Sequence, residues 1–152
     1  MNRLFNLLIE LEEIAEKDCT VVMYIAGKDM PVKDEDSFVY ECDCRAYIYI
    51  KNGLKLRVEV KRFTHETAHV HVGICSIWTL PNINRLYEER ACDWAAMRLV
   101  PHRELKLAML DPHINSDYDM AEALEVEIDD IERARRRYIA MGYDVWRSDE
   151  LW

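Results

Sequence analysis

The chain has no long hydrophobic run. No stretch approaches the ~20 consecutive apolar residues of a membrane-spanning helix, so the sequence predicts neither a span nor a membrane partner. The first ten residues, Met1 to Glu10, carry too short an apolar run for an export signal. Acidic residues follow at once, and no small-residue cleavage site is evident. Paired cysteines are missing too: Cys19, Cys42, Cys44, Cys75 and Cys92 form an odd set without paired spacing. Without an export signal, disulfides are not expected, and a soluble, cytoplasmic protein is. Cys42-Asp43-Cys44 lacks the second pair that a C-x-C metal site needs. Alternation along a strand would point both thiols to one face, as ordinary reduced strand cysteines. Positive charge is also scarce. The net charge of −9 argues against broad nucleic-acid binding through a phosphate-neutralising surface, though not against a basic partner. The one dense basic cluster, Arg133, Arg135, Arg136 and Arg137, follows acidic residues ending at Glu132 and reads as a helix end aligned with its dipole. Repeats, low-complexity tracts and linkers are absent.

What is present is apolar residue at the right spacing. Half of the 152 residues are hydrophobic, enough to bury one continuous core, and 1–152 reads as a single domain. Leu4, Leu7, Leu8, Leu11 and Ile14 recur at helical spacing and predict an amphipathic helix over Arg3 to Lys17. Cys19 to Ala26, Phe38 to Cys42 and Arg45 to Ile50 read as strands, punctuated by Gly27-Lys28-Asp29, a polar loop from Pro31 to Ser37, and the turn Asn52-Gly53. Leu54 to Val72 is rich in β-branched residues, yet a helix is expected from about Leu56, stopping at Gly73. A loop from Ile74 to Asn82 with Trp78 and Pro81 precedes a helix from about Ile83 to Val100, ended by Pro101. His102 to Leu110, Met120 to Leu124 and Ile128 to Met141 read as further helices, the last two joined by a tight turn at Glu125-Val126. The expected fold class is α+β: an N-terminal helix and small sheet (about 1–53), two central helices (about 54–101) and a helical tail (about 102–143).

The chemistry concentrates in His65-Glu66-Thr67-Ala68-His69. On a helix, positions i and i+4 share a face, so both imidazoles can reach one ion. Two nitrogen ligands suit Zn²⁺, and a third protein ligand leaves the fourth tetrahedral position open for water. Glu66 is then placed to act as a general base toward that water. The third ligand is sought on the following helix, where Glu88, Ala91, Cys92, Ala95 and Leu99 share one face while Glu89 rotates away with Asp93. A carboxylate ending an apolar, small-residue stripe is costly to bury unless paired or metal-bound. On these facts alone, a ligand and an exposed residue near the positive end of the helix dipole are equally supported readings of Glu88.

Together these segments resemble the ImmA/IrrE-type metallopeptidases of phages, prophages and mobile elements. That pattern is His-Glu-x-(small)-His, a glycine a few residues on, and then a helix Glu-x-x-Ala-x-x-(Trp or Phe)-Ala ending in proline. Here the matching residues are His65-Glu66-Thr67-Ala68-His69, Gly73, Glu88 with Arg90-Ala91, Trp94-Ala95, and Leu99-Val100-Pro101. Met120 to Val126 is similar to the family's helical tail. The resemblance covers roughly Leu54 to Tyr143; before Leu54 only the helix-then-strands outline matches. Thr67-Ala68 departs from the bulky aliphatic residue and Gly of many members, although Ala is still small.

The resemblance implies a zincin-like minimal peptidase with His65, His69 and Glu88 as zinc ligands and Glu66 as general base. Manganese is the alternative divalent ion. It further implies limited proteolysis of a helix-turn-helix repressor, a separate protein that silences genes of a phage or mobile element. His71, Tyr47, His102 and Arg98 are candidates to stabilise an oxyanion, each weighed against a structural or solvated role, as is His113 beside Pro112. The strand from Ala46 to Ile50 is expected to offer an edge to an extended substrate. Two other classes remain: a catalytically silent protein on the same fold that grips a regulator, and a DNA-binding regulator using the C-terminal helix pair. Tyr143, Trp146 and Trp152 read as a contact patch or a frayed tail, and oligomeric state is open.

Overall fold

The amphipathic N-terminal segment forms α1 (Arg3–Lys17), its apolar stripe Leu4, Leu7, Leu11 and Ala15 buried at three- and four-residue spacing. Asn2 caps it, its Oδ1 accepting from the Leu4 N–H at 2.9 Å. The computed structural model describes residues 2–73 and 81–143. Most of the expected loop Ile74 to Asn82, with Cys75 and Trp78, lies outside the described residues, as do Trp146 and Trp152.

Three strands follow: β1 (Val21–Ile25), β2 (Ser37–Cys42) and β3 (Arg45–Lys51), in the order β1-β3-β2. β1 runs parallel to β3, and β2 antiparallel to it. Two expectations are corrected here. β3 is the central strand, so Ala46 to Ile50 offers no free edge: its backbone groups are committed to ladders on both sides. Cys42 and Cys44 do not alternate along one strand either. Cys42 pairs with Arg45, leaving Asp43-Cys44 as a two-residue hairpin loop. Such a loop favours positive φ at both central residues, and these take φ 52° and 59°. Both thiols are free and exposed.

Strand alternation buries Ala46, Ile48 and Ile50 of β3 on one sheet face. The helix α2 (Leu56–Val72) packs on β2, β3 and α1. Its β-branched residues do not turn it into a strand. Thr64 and Thr67 are buried, and their hydroxyls donate to the carbonyls of Val60 (2.6 Å) and Phe63 (2.8 Å), one turn back. Val60 and Phe63 are fully buried beside them, and covering a ring such as Phe63 contributes about 1.5–3 kcal/mol. Gly73 stops the helix at φ 111°, its N–H returning to the His69 carbonyl at 2.9 Å. A Cβ there would stand 2.7 Å from Cε1 of Tyr87, so glycine is needed for space as well as conformation.

α3 spans Pro81–Leu99. Pro81 and Asn82 belong to this helix rather than to the preceding loop, as suits a proline at a first helical position. The chain divides into two compact units, one through Ala95 and one from Ala96. In the second, α4 (His102–Leu110), α5 (Asp117–Leu124) and α6 (Ile128–Ala140) pack on one another. Ser116 caps α5, so that helix starts three residues before the expected Met120. Glu125 closes it in the left-handed conformation, φ 54°, which makes the expected tight turn into α6. Arg135 of the basic cluster is held by Asp117 through bonds of 2.7 and 3.2 Å, and Tyr138 Oη donates to the Val100 carbonyl at 2.9 Å. The described residues thus form an α+β fold, and none of their helices is long and apolar enough to cross a membrane.

Candidate metal centre

His65 and His69 stand one turn apart on α2, their rings at 86° with centroids 4.7 Å apart and their Nε2 atoms separated by 3.1 Å. Glu88 reaches them from α3, with Oε1 3.3 Å from His65 Nε2 and Oε2 3.1 Å from His69 Nε2. Small residues permit this approach: Ala68 of α2 and Ala91 and Ala95 of α3 form one buried cluster, flanked by Val72 and Trp94. Glu89 points elsewhere, lining a surface groove with Asn82, Arg85 and Leu86. Glu88, half exposed, therefore faces both imidazoles and not open solvent alone.

Two imidazole nitrogens and a carboxylate oxygen are a donor set that could hold a metal ion. Donors about 2.0 Å from a tetrahedral ion lie about 3.3 Å from one another, and the observed separations of 3.1–3.3 Å match that spacing. Electrostatics favour the same grouping. Hydrogen bonds from His65 and His69 hold the Glu88 carboxyl well below its ordinary range. Bonds to Cys92 and then Glu88 raise the His65 imidazole to about 10, outweighing burial, which acts in the opposite sense.

Glu66 is buried beside His65 and His69, and burial pushes its carboxyl upward from 4.5. A hydrogen bond from Ser37 opposes that shift, as do the imidazoles of His65 and His69. The bond is short and internal: Ser37 Oγ donates to Glu66 Oε1 at 2.6 Å. Ser37 opens β2, so the sheet directly holds the carboxylate next to the two histidines.

The structure brings together His65, Glu66, His69 and Glu88, as the sequence predicts. The proposed oxyanion groups have other contacts. His71 stacks on Trp94, centroids 5.0 Å apart, and lies 3.4 Å from Asp18. Tyr47 stacks on Tyr40 at 5.2 Å, within a row of rings that includes Phe38 and Tyr49. His102, in the second unit, packs against Tyr138 and Tyr143, and Arg98 belongs to that unit as well. His113 lies in a turn, its N–H donating to Asp111 Oδ1 at 2.9 Å. Sequence reasoning missed Ser37, 29 residues before Glu66 with no local signal. It also passed over Cys92, whose Sγ lies 3.5 Å from Glu88 Oε1; its i+4 spacing from Glu88 was the available signal.

No protein-family model matches this chain, and no curated protein matches it.

Proposed function

We propose that the protein is a zinc-dependent peptidase of zincin-like design. The observation that carries this reading is a buried carboxylate, Glu66, set directly beside the convergent donors His65, His69 and Glu88. When bound, a zinc ion supplies a Lewis acid that polarises the scissile carbonyl and lowers the pKa of water toward neutrality. Glu66 accepts a proton from the attacking water and returns it to the leaving amine. Its upward shift brings it nearer the operating pH, where it can do both. Ser37 holds one carboxylate oxygen, Oε1, and so fixes the carboxylate. β2 runs from Ser37 along the outside of the sheet, so an extended peptide paired to that edge would start beside the base.

The resemblance of the two motifs to those of ImmA/IrrE-type metallopeptidases extends the proposal to limited proteolysis of a helix-turn-helix repressor. A protein that merely grips a regulator has no use for a buried base beside its metal ligands, and this favours the hydrolytic reading. The test is cleavage profiling of a peptide library with zinc-loaded protein. The wild type should cut, and Glu66→Gln should be slower by roughly 10²–10⁴-fold. Equal cleavage by both contradicts the proposal.

A further inference from the structure

We infer that Phe38 and Tyr40 set the sequence preference of the peptidase, selecting extended segments with aromatic or β-branched residues at two positions separated by one. The inference rests on the peptidase reading above and names the substrate class of that same site. β2 is an edge strand, and its first residue, Ser37, is bonded to Glu66. The Lys51 N–H donates to the Asp36 carbonyl at 2.9 Å, which fixes the alternation of the ladder between β2 and β3. In the observed register, Phe38–Tyr49 and Tyr40–Tyr47 are then hydrogen-bonded pairs. The N–H and C=O groups of Val39 and Glu41 point the other way, out of the sheet edge, toward a strand added there.

Alternation puts Phe38 and Tyr40 on one sheet face with Tyr47 and Tyr49, opposite the buried face of Ala46, Ile48 and Ile50. All four rings are partly exposed and nearly parallel. The Tyr40 ring lies 5.2 Å from Tyr47, 5.9 Å from Tyr49 and 6.3 Å from Phe38, centroid to centroid. Two ring rows, Tyr49–Phe38 and Tyr47–Tyr40, thus run across the sheet and end at its edge. A segment paired antiparallel to β2 extends each row by one side chain. Phe38 and Tyr40 commit their backbone groups to β3, so the residues opposite them form non-hydrogen-bonded pairs. In such pairs the Cα atoms stand about 4.5 Å apart and the side chains lie closest. Aromatic and β-branched side chains make favourable cross-strand contacts with rings there, and glycine and aspartate do not. The residue between the two points to the other face, the side of Ser37 and Glu66.

The test digests a mixture of unstructured synthetic peptides with the zinc-loaded full-length protein and sequences the cut sites. Wild type is run beside Phe38→Ala, Tyr40→Ala and Tyr40→Phe, with circular dichroism to verify folding. The expected wild-type profile favours aromatic and β-branched residues at two positions separated by one, each by up to about fivefold. Phe38→Ala relaxes one preference and Tyr40→Ala the other, with KM raised for the favoured peptides, whereas Tyr40→Phe keeps both. Cleavage without a paired preference, or a preference that both alanine variants retain, overturns the inference and leaves the peptidase standing. Where a variant does not fold, the wild-type profile decides. A dimer in sedimentation that Tyr40→Ala dissociates assigns the rings to a second copy and also overturns it. Failure of the wild type to cut any peptide overturns both readings.

Discussion

Ser37 Oγ donates a 2.6 Å hydrogen bond to Oε1 of Glu66, joining the start of β2 to the carboxylate beside His65 and His69. Both residues are buried, so this bond offsets part of the cost of holding a carboxylate away from water.

Ser37→Ala should therefore destabilise the fold by about 1–3 kcal/mol. The loss should depend on pH. The folded-state pKa of Glu66 lies above 4.5, so the native protein binds this proton more tightly than the unfolded chain does. The resulting contribution is fully present below 4.5 and is lost as pH rises through the folded-state value. Ser37 pulls that value down, so removing it steepens the decline. Urea unfolding at pH 5 and pH 8 measures the difference between variant and wild type. It should be larger at pH 8, and equal differences contradict the role assigned to Ser37.

Metal uptake should compete with protons. The His65 imidazole, raised to about 10, is protonated at neutral pH in the metal-free protein, whereas a metal ligand must be neutral. Glu88 is depressed and stays ionised throughout this range, so it contributes no proton. One proton displaced per ion means that zinc affinity climbs about tenfold per pH unit between pH 6 and 9. Competition titrations with a chelator of known pH dependence read this slope. A flat profile contradicts the raised His65.

Gly73→Ala should loosen the helix pair that carries His65, His69 and Glu88. The backbone at φ 111° strains any L side chain, and the new Cβ would collide with Tyr87, the residue before Glu88. A cost of about 1–3 kcal/mol is expected, together with weaker zinc binding as Glu88 is displaced. Thermal melts and zinc titration check both; unchanged affinity would separate Gly73 from the site.

The legible parts of this molecule were those encoded by local spacing. The bounds of α1 and α2 follow from apolar periodicity, from Lys17 and Gly73 at the helix ends, and from the need to put His65 and His69 on one face. The stripe Glu88, Ala91, Cys92, Ala95 disclosed which side of α3 meets α2, because small residues mark close helix approach. Long-range pairing left no such trace. Nothing near Ala46 to Ile50 says that β1 and β2 flank it on both sides, so a central strand read as an edge. Asp43-Cys44 hid a hairpin turn because its left-handed residues are not the usual asparagine and glycine. Ser37 looked like the end of a polar loop until the fold carried it to Glu66.

The central claim is that His65, His69 and Glu88 hold one metal ion between them. It is tested most directly by metal analysis of the purified protein after zinc loading and removal of excess, wild type beside Glu88→Ala. The account predicts one zinc per chain in the wild type and its loss in the variant, with folding retained because Glu88 is half exposed. Full retention of zinc by Glu88→Ala would contradict it.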